Sequence, residues 1–310
     1  MPSRSRPSSA AATVDRPRLI GEDLLRDWSL PAPDASGDKA ARGRVMCVGG
    51  SAELPGAIIL AGTAALRAGA GILSIGAPRP ISLAVGVAVP EALVFGLRGT
   101  RAGGIAPENA ADIGRRATRA RSVVVGPGMV DVKATARLLE VLLPLLNETE
   151  VVVLDALALD GAARSAQAVR DCAPRIVMTP HSGEMARLLD VSIDEVEADP
   201  VAIARQAAMA FGAVVALKGS ETIVVTPAGE LFRYEEGGVG LATSGSGDTL
   251  AGIIAGLAAR GAAPAQAAVW GVYLHGSAGN RLTRRLGRVG FLARELLAQV
   301  PPIMSRLERP

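Results

Sequence analysis

The stretch Gly237-Gly238-Val239-Gly240-Leu241-Ala242-Thr243-Ser244-Gly245-Ser246-Gly247-Asp248-Thr249-Leu250-Ala251-Gly252 decides how this chain is read. Gly245 and Gly247 can take backbone angles closed to other residues, so successive N–H groups can converge on one point. An amphipathic helix is expected to begin at once and to add the positive end of its dipole. The combination predicts an anion hole sized for a phosphate, with Gly245, Ser246 and Gly247 as its contacts. Asp248 falls in the first turn of that helix. An acid at a helix start ordinarily contributes only about 0.3–1 kcal/mol. Beside a phosphate its charge is repelled unless it has a task, and accepting a proton from a hydroxyl that attacks the phosphate is such a task.

Outward from this turn the pattern is that of an α/β protein. Downstream, helices are expected near 247–260, 264–282 and 291–299. Just upstream, the runs 213–217, 222–226 and 231–234 are separated by turns too short for anything but antiparallel neighbours. Earlier still, short apolar runs at 45–48, 72–75, 123–125, 151–154 and 176–178 alternate with helical patterns near 57–68, 132–146, 163–171, 183–189 and 200–211. Apolar strands of that length, without polar alternation, suit a parallel sheet covered on both faces. The expected fold is therefore a central, mostly parallel sheet flanked by helices on both faces, with an antiparallel strand group before the C-terminal helices.

Composition bounds the function. The chain has 310 residues, 49% of them hydrophobic, and a net charge of +3. That is ample for a large core, and the dispersed arginines leave no footprint for nucleic acid or an anionic membrane. The longest apolar runs, 56–66 and 249–259, are about eleven residues each, short of the roughly 20 that a spanning helix needs. Residues 1–18 are basic and rich in Ser, Pro and Ala without a signal-peptide core, and read as a disordered tail, leaving 19–310 as one domain. Cys47 lies in an apolar run and reads as a buried, inert thiol; with Cys172 it fits a reducing cytoplasm. Of the three lysines, Lys39, Lys133 and Lys218, only the last ends an apolar strand. No G-x-x-x-x-G-K-[ST] is present, and Gly69-Ala70-Gly71 is an incomplete dinucleotide fingerprint.

Ser244-Gly245-Ser246-Gly247-Asp248-Thr249-Leu250-Ala251-Gly252 resembles the signature of the ribokinase-like superfamily. Several further blocks occur in order: Gly49-Gly50-Ser51 with Gly56-Ala57, Pro90-Glu91, Gly126-Pro127-Gly128, Thr179-Pro180-His181-Ser182-Gly183-Glu184 and Lys218-Gly219-Ser220-Glu221-Thr222. Together they resemble the ADP/ATP-dependent NAD(P)H-hydrate dehydratases, a metabolite-repair branch that restores NADH and NADPH from their hydrated forms. His181 is the most diagnostic residue, since sugar kinases carry Asn there. The resemblance covers about 44–280. It implies Asp248 as catalytic base and substrate contact, and Ala57, Gly128 and His181 as substrate contacts. It further implies Lys218, Gly219, Ser220, Glu221, Thr222, Gly245, Ser246 and Gly247 around ADP or ATP, largely through backbone groups, and Glu184 holding Mg²⁺ through water. A homotetramer and a separate epimerase as functional partner are also implied.

Two positions depart from the family's pattern: Leu54 stands where a tyrosine is usual, and Leu157 replaces the second acid of an Asp-Ala-Asp-Ala-Leu run, Asp155 being kept. His275 reads as core or interface. Two alternatives share the loop: a kinase of a small hydroxylated heterocycle, hydroxymethylpyrimidine or hydroxyethylthiazole in type, and a degenerate homologue that binds nucleotide without turnover.

Overall fold

Ten short strands carry the architecture in the computed structural model, which describes residues 16–32 and 37–308. They are β1 (Arg18–Leu19), β2 (Arg44–Val48), β3 (Ile72–Pro78), β4 (Ala92–Leu97), β5 (Ser122–Val125), β6 (Val151–Leu154), β7 (Ile176–Met178), β8 (Val214–Leu217), β9 (Thr222–Val225) and β10 (Leu231–Tyr234). They form one sheet in the order β1-β10-β9-β8-β7-β6-β5-β2-β3-β4. Every pairing from β8 across to β4 is parallel, and β9 runs antiparallel to both β8 and β10. The β-branched runs become the centre because both of their faces are buried, as the alternation of their side chains shows. Val45 and Cys47 of β2 point into one core and Met46 and Val48 into the other; Val151 and Val153 of β6 part from Val152 and Leu154 in the same way.

One core layer lies under the helices Pro55–Arg67, Ser246–Ala259 and Pro264–Leu286, the other under Ala110–Ala117, Val132–Leu145, Ser182–Leu189 and Pro200–Phe211. The first two of these helices pack exceptionally closely. A Cβ placed on Gly252 would lie 2.1 Å from the Ala61 carbonyl oxygen, and one on Gly256 2.3 Å from that of Ala65. Small residues four apart on both helices let their backbones touch, which fixes the N-terminus of Ser246–Ala259 relative to that of Pro55–Arg67.

Several expectations need correction. Residues 1–15 of the expected tail lie outside the described residues, but Arg18 and Leu19 pair with Phe232 and Arg233 of β10. The helix expected over 163–171 is broken at Ser165, whose hydroxyl donates to Ala136 O at 2.9 Å, leaving Leu157–Arg164 and Ala166–Asp171. The expected 291–299 helix becomes Ala293–Leu296 and Val300–Leu307, the second opening on Pro301-Pro302 where proline is tolerated. β4 and the helix Arg79–Ala88 before it were not anticipated. Cys47 is fully buried, its thiol pushed up to about 12 by burial, as its apolar run implied.

Candidate active site

Side chains from four strand ends meet in a cleft of about 820 Å³ at the carboxyl edge of the sheet. Asp155 follows β6 directly and is 2% exposed; its Oδ1 accepts from Thr179 Oγ1 at 2.7 Å and from Lys218 Nζ at 3.2 Å. Lys218 follows β8, and its N–H donates to Pro180 O at 2.8 Å, so the loops after β7 and β8 run side by side. This pairing brings Lys218 Nζ within 3.6 Å of Glu184 Oε2. Ala156, next to Asp155, takes φ 49°, ψ −129°. That region costs a non-glycine residue on the order of 1–3 kcal/mol. The kink sends Leu157 into the second core layer rather than into the cleft.

The helix Ser182–Leu189 starts with a reciprocal cap. His181 Nδ1 accepts from the N–H groups of Gly183 and Glu184 at 3.0 and 3.4 Å, and Glu184 Oε2 accepts from His181 N–H at 2.9 Å. Part of each side chain is therefore engaged structurally. His181 nevertheless lines the cleft, and Glu184, although buried, also lines it.

The glycine turn closes the cleft from the other side. Gly245 has φ 86°, and a Cβ there would lie 2.4 Å from Leu60 Cδ1, so only glycine fits. The Ser246 N–H donates to Thr243 O at 3.2 Å and the Thr249 N–H to Gly245 O at 3.0 Å. The N–H groups of Gly247 and Asp248 fall between them, in the first turn, where a helix offers no acceptor of its own. Both residues line the cleft, and a Cβ on Gly247 would approach Lys218 Nζ to 3.2 Å.

Three carboxylates thus surround one ammonium. Burial, then the Asp155 charge, push the Asp248 carboxyl up to about 7; Lys218 opposes the rise and Glu184 adds to it. Burial works against the Lys218 ammonium, but Asp155 and Glu184 outweigh it and raise its pKa above the ordinary value. Among the described residues no group of three or more His, Cys, Asp or Glu side chains is arranged to hold a metal ion. The excess negative charge suits Mg²⁺ all the same, since that ion commonly binds one or two carboxylates together with substrate phosphates.

Of the residues singled out in the sequence, His181, Glu184, Lys218, Gly219, Ser220, Thr222, Ser246, Gly247 and Asp248 line this cleft. Glu221 does not; its carboxylate pairs with Arg233, whose Nε lies 2.5 Å away. Gly245 shapes the turn from behind. Ala57 and Gly128 form a separate cluster beyond the ends of β2 and β5, the neighbouring strands at which the strand order reverses, the usual ligand position in open α/β sheets. A Cβ on Gly128 would lie 2.6 Å from Leu54 O and 2.9 Å from Ala57 Cβ.

Two cleft residues escaped the sequence reading. His275, expected in core or interface, lines the cleft with Nε2 2.9 Å from Ser246 Oγ. Burial, then the nearby Lys218 charge, hold its imidazole down at about 4. Tyr234 ends β10 and forms part of an apolar wall with Val239, Leu241 and Val272. The only signal for His275 was a polar residue interrupting the buried run 270–274.

A mostly parallel α/β sheet with a glycine turn, a poised aspartate and a carboxyl-edge cleft defines a protein of the ribokinase-like class. A ribokinase-like superfamily protein of Enterococcus faecalis superposes on it with a TM-score of 0.80 at 26% identity, over 94% of this chain and 97% of that one. The sequence model of the NAD(P)H-hydrate dehydratase family matches residues 45–302, and the chain belongs to that family. It is 43% identical over 297 residues to an ADP-dependent (S)-NAD(P)H-hydrate dehydratase of Xanthomonas campestris, covering 96% of this chain and 99% of that protein. The ADP/ATP-dependent NAD(P)H-hydrate dehydratase of Bacillus subtilis, crystallised with ATP and Mg²⁺, has a TM-score of 0.78 at 27% identity, over 95% and 100% of the two chains. Among the described residues no helix is long and apolar enough to cross a membrane.

Proposed function

We propose that this chain is a hydro-lyase of metabolite repair, dehydrating the S-form of hydrated NADH or NADPH with ADP or ATP as phosphoryl donor. One observation carries the reading. Asp248, its carboxyl raised to about 7, stands in the first turn of a helix whose unbonded N–H groups face a cleft large enough for a nucleotide. A carboxylate with that pKa is ionised in a useful fraction at neutral pH and still accepts a proton readily.

Asp248 accepts the proton of the ring hydroxyl as its oxygen attacks the terminal phosphoryl group. The Gly247 and Asp248 N–H groups, steered by Gly245, receive the phosphate oxygens, and Lys218 keeps Asp248 from being neutral throughout. Lys218 to Thr222 flank the nucleotide through the backbone, and the wall of Tyr234, Val239, Leu241 and Val272 suits a flat base. Glu184 would hold Mg²⁺ through water, and the bound ion would offset the charge of the transferring phosphoryl group. His181, Ala57 and Gly128 would contact the hydrated dinucleotide. Phosphate then departs as the ring nitrogen donates its electrons, and the adjacent ring carbon gives up a proton to solvent, which restores the reduced nicotinamide.

An enzyme selective for one epimer depends on a second activity that converts the other, so a separate epimerase is the functional partner. We read residues 19–310 as one domain, working in the cytoplasm, where two buried thiols stay reduced. Assembly as a homotetramer is consistent with exposed apolar residues beside the β4 edge: Leu83, Val87 and Leu93 are 81%, 75% and 58% exposed.

Mixing the protein with hydrated NADH, ADP and Mg²⁺ should return the absorbance of reduced nicotinamide. Absence of that signal, with a phosphorylated hydroxymethylpyrimidine or hydroxyethylthiazole formed instead, would replace this reading by the kinase one.

A further inference from the structure

Ser246 sits between the two glycines of the anion turn, is 5% exposed, and is the first residue of its helix. Glycines on either side leave the turn free in its backbone torsions, so what holds Ser246 holds the turn. Its N–H is anchored locally, on Thr243 O. Its hydroxyl is anchored across the cleft, 2.9 Å from Nε2 of His275 on the helix Pro264–Leu286. That helix is tightly seated: a Cβ on Gly276, the next residue, would lie 2.1 Å from Tyr234 Cε1, and one on Gly271 2.5 Å from Ile254 Cγ1. The imidazole therefore projects from a rigid support.

We propose that His275 is a positioning residue for the phosphoryl-transfer site: by tying the Ser246 hydroxyl it fixes the turn whose Gly247 and Asp248 N–H groups receive the phosphate of a nucleoside diphosphate. The inference rests on the nucleotide reading given above. Burial and the Lys218 charge keep the imidazole uncharged at neutral pH, so it serves as a hydrogen-bond partner of Ser246 and not as a counter-ion for phosphate. Either neutral tautomer makes the bond, with the ring nitrogen accepting from the hydroxyl or donating to it.

A double-mutant cycle on the full chain tests this, titrating ADP in the presence of Mg²⁺ by calorimetry. His275→Leu and Ser246→Ala are each expected to weaken ADP binding about tenfold, the effect of one lost hydrogen bond of this kind. The double variant should bind no more weakly than either single one, because the two changes break the same link. His275→Gln, whose amide can reach the Ser246 hydroxyl, should recover most of the affinity. A roughly hundredfold loss in the double variant would overturn the proposal, as would wild-type affinity in Ser246→Ala, which also decides the matter should His275→Leu not fold. Failure of the wild-type protein to bind ADP would instead overturn the nucleotide reading and this inference with it.

Discussion

Two glycine turns of similar appearance, Gly126-Pro127-Gly128 and Gly245-Ser246-Gly247, serve opposite ends. In the first, Gly126 exists for the protein's own packing. Gly126 has φ 124° and a Cβ there would lie 1.8 Å from Asp155 O; the neighbouring Pro127 O accepts from Gly50 N–H at 2.7 Å. In the second, Gly245 is pressed against Leu60, yet a Cβ on Gly247 would meet only the flexible end of Lys218, and the N–H groups beyond remain unbonded by the fold. Glycine in a βα turn signals a close approach without saying to what. The difference lies in whether the backbone donors have been used.

The largest expected effect separates the turns most sharply. Asp248→Asn should lower kcat by about 10²–10⁴, the usual share of a general base, with ADP binding nearly retained. Substantial turnover in that variant would remove the distinction. Next comes Gly126→Ala, which should lower unfolding free energy by about 3 kcal/mol or more in a denaturant melt, since both the positive φ and a backbone clash oppose it. Gly247→Ala should leave stability within about 1 kcal/mol while weakening ADP binding, because its added methyl meets only a movable ammonium and the space meant for phosphate. Equal stability losses at the two glycines would mean that both turns serve packing alike.

A smaller effect follows from the Asp248 carboxyl itself. Its pKa is raised on folding from 3.8 to about 7, so the folded state favours the protonated form, and its stabilising contribution is lost as pH rises through that range. Asp248→Asn should therefore be more stable than the parent at pH 8, by roughly 1–2 kcal/mol after allowing for partial solvent access, and the gap should close towards pH 4. In the parent, kcat/KM should fall on the acid side with an inflection near pH 7, where the free enzyme's base becomes protonated. Stability and activity thus run in opposite directions with pH.

The interior strands were legible because continuous β-branched runs have no other way to bury both faces, as in Val151–Leu154. β4 was not, since it is an edge strand whose Leu93 is 58% exposed and whose Gly96 breaks the pattern. The Gly-Ser-Gly-Asp turn was legible because all its parts are consecutive. The Asp155–Lys218–Glu184 group was not, as it exists only where the ends of β6, β7 and β8 converge; the resemblance implies a backbone contact for Lys218, whereas its ammonium is the counter-charge of the cleft. His275 is 29 residues from the serine it touches, and helical spacing gave no reason to pair them.

The contact of Gly252 and Gly256 with Ala61 and Ala65 makes these two helices a ruler with no slack. Asp248 stands one turn above Gly252, so a single extra methyl anywhere along that seam would tilt the whole helix and carry the carboxylate with it. A displacement of about 1 Å at a reacting group can cost about a hundredfold in rate. Sensitivity of the reaction therefore extends deep below the cleft, down a seam that no ligand touches.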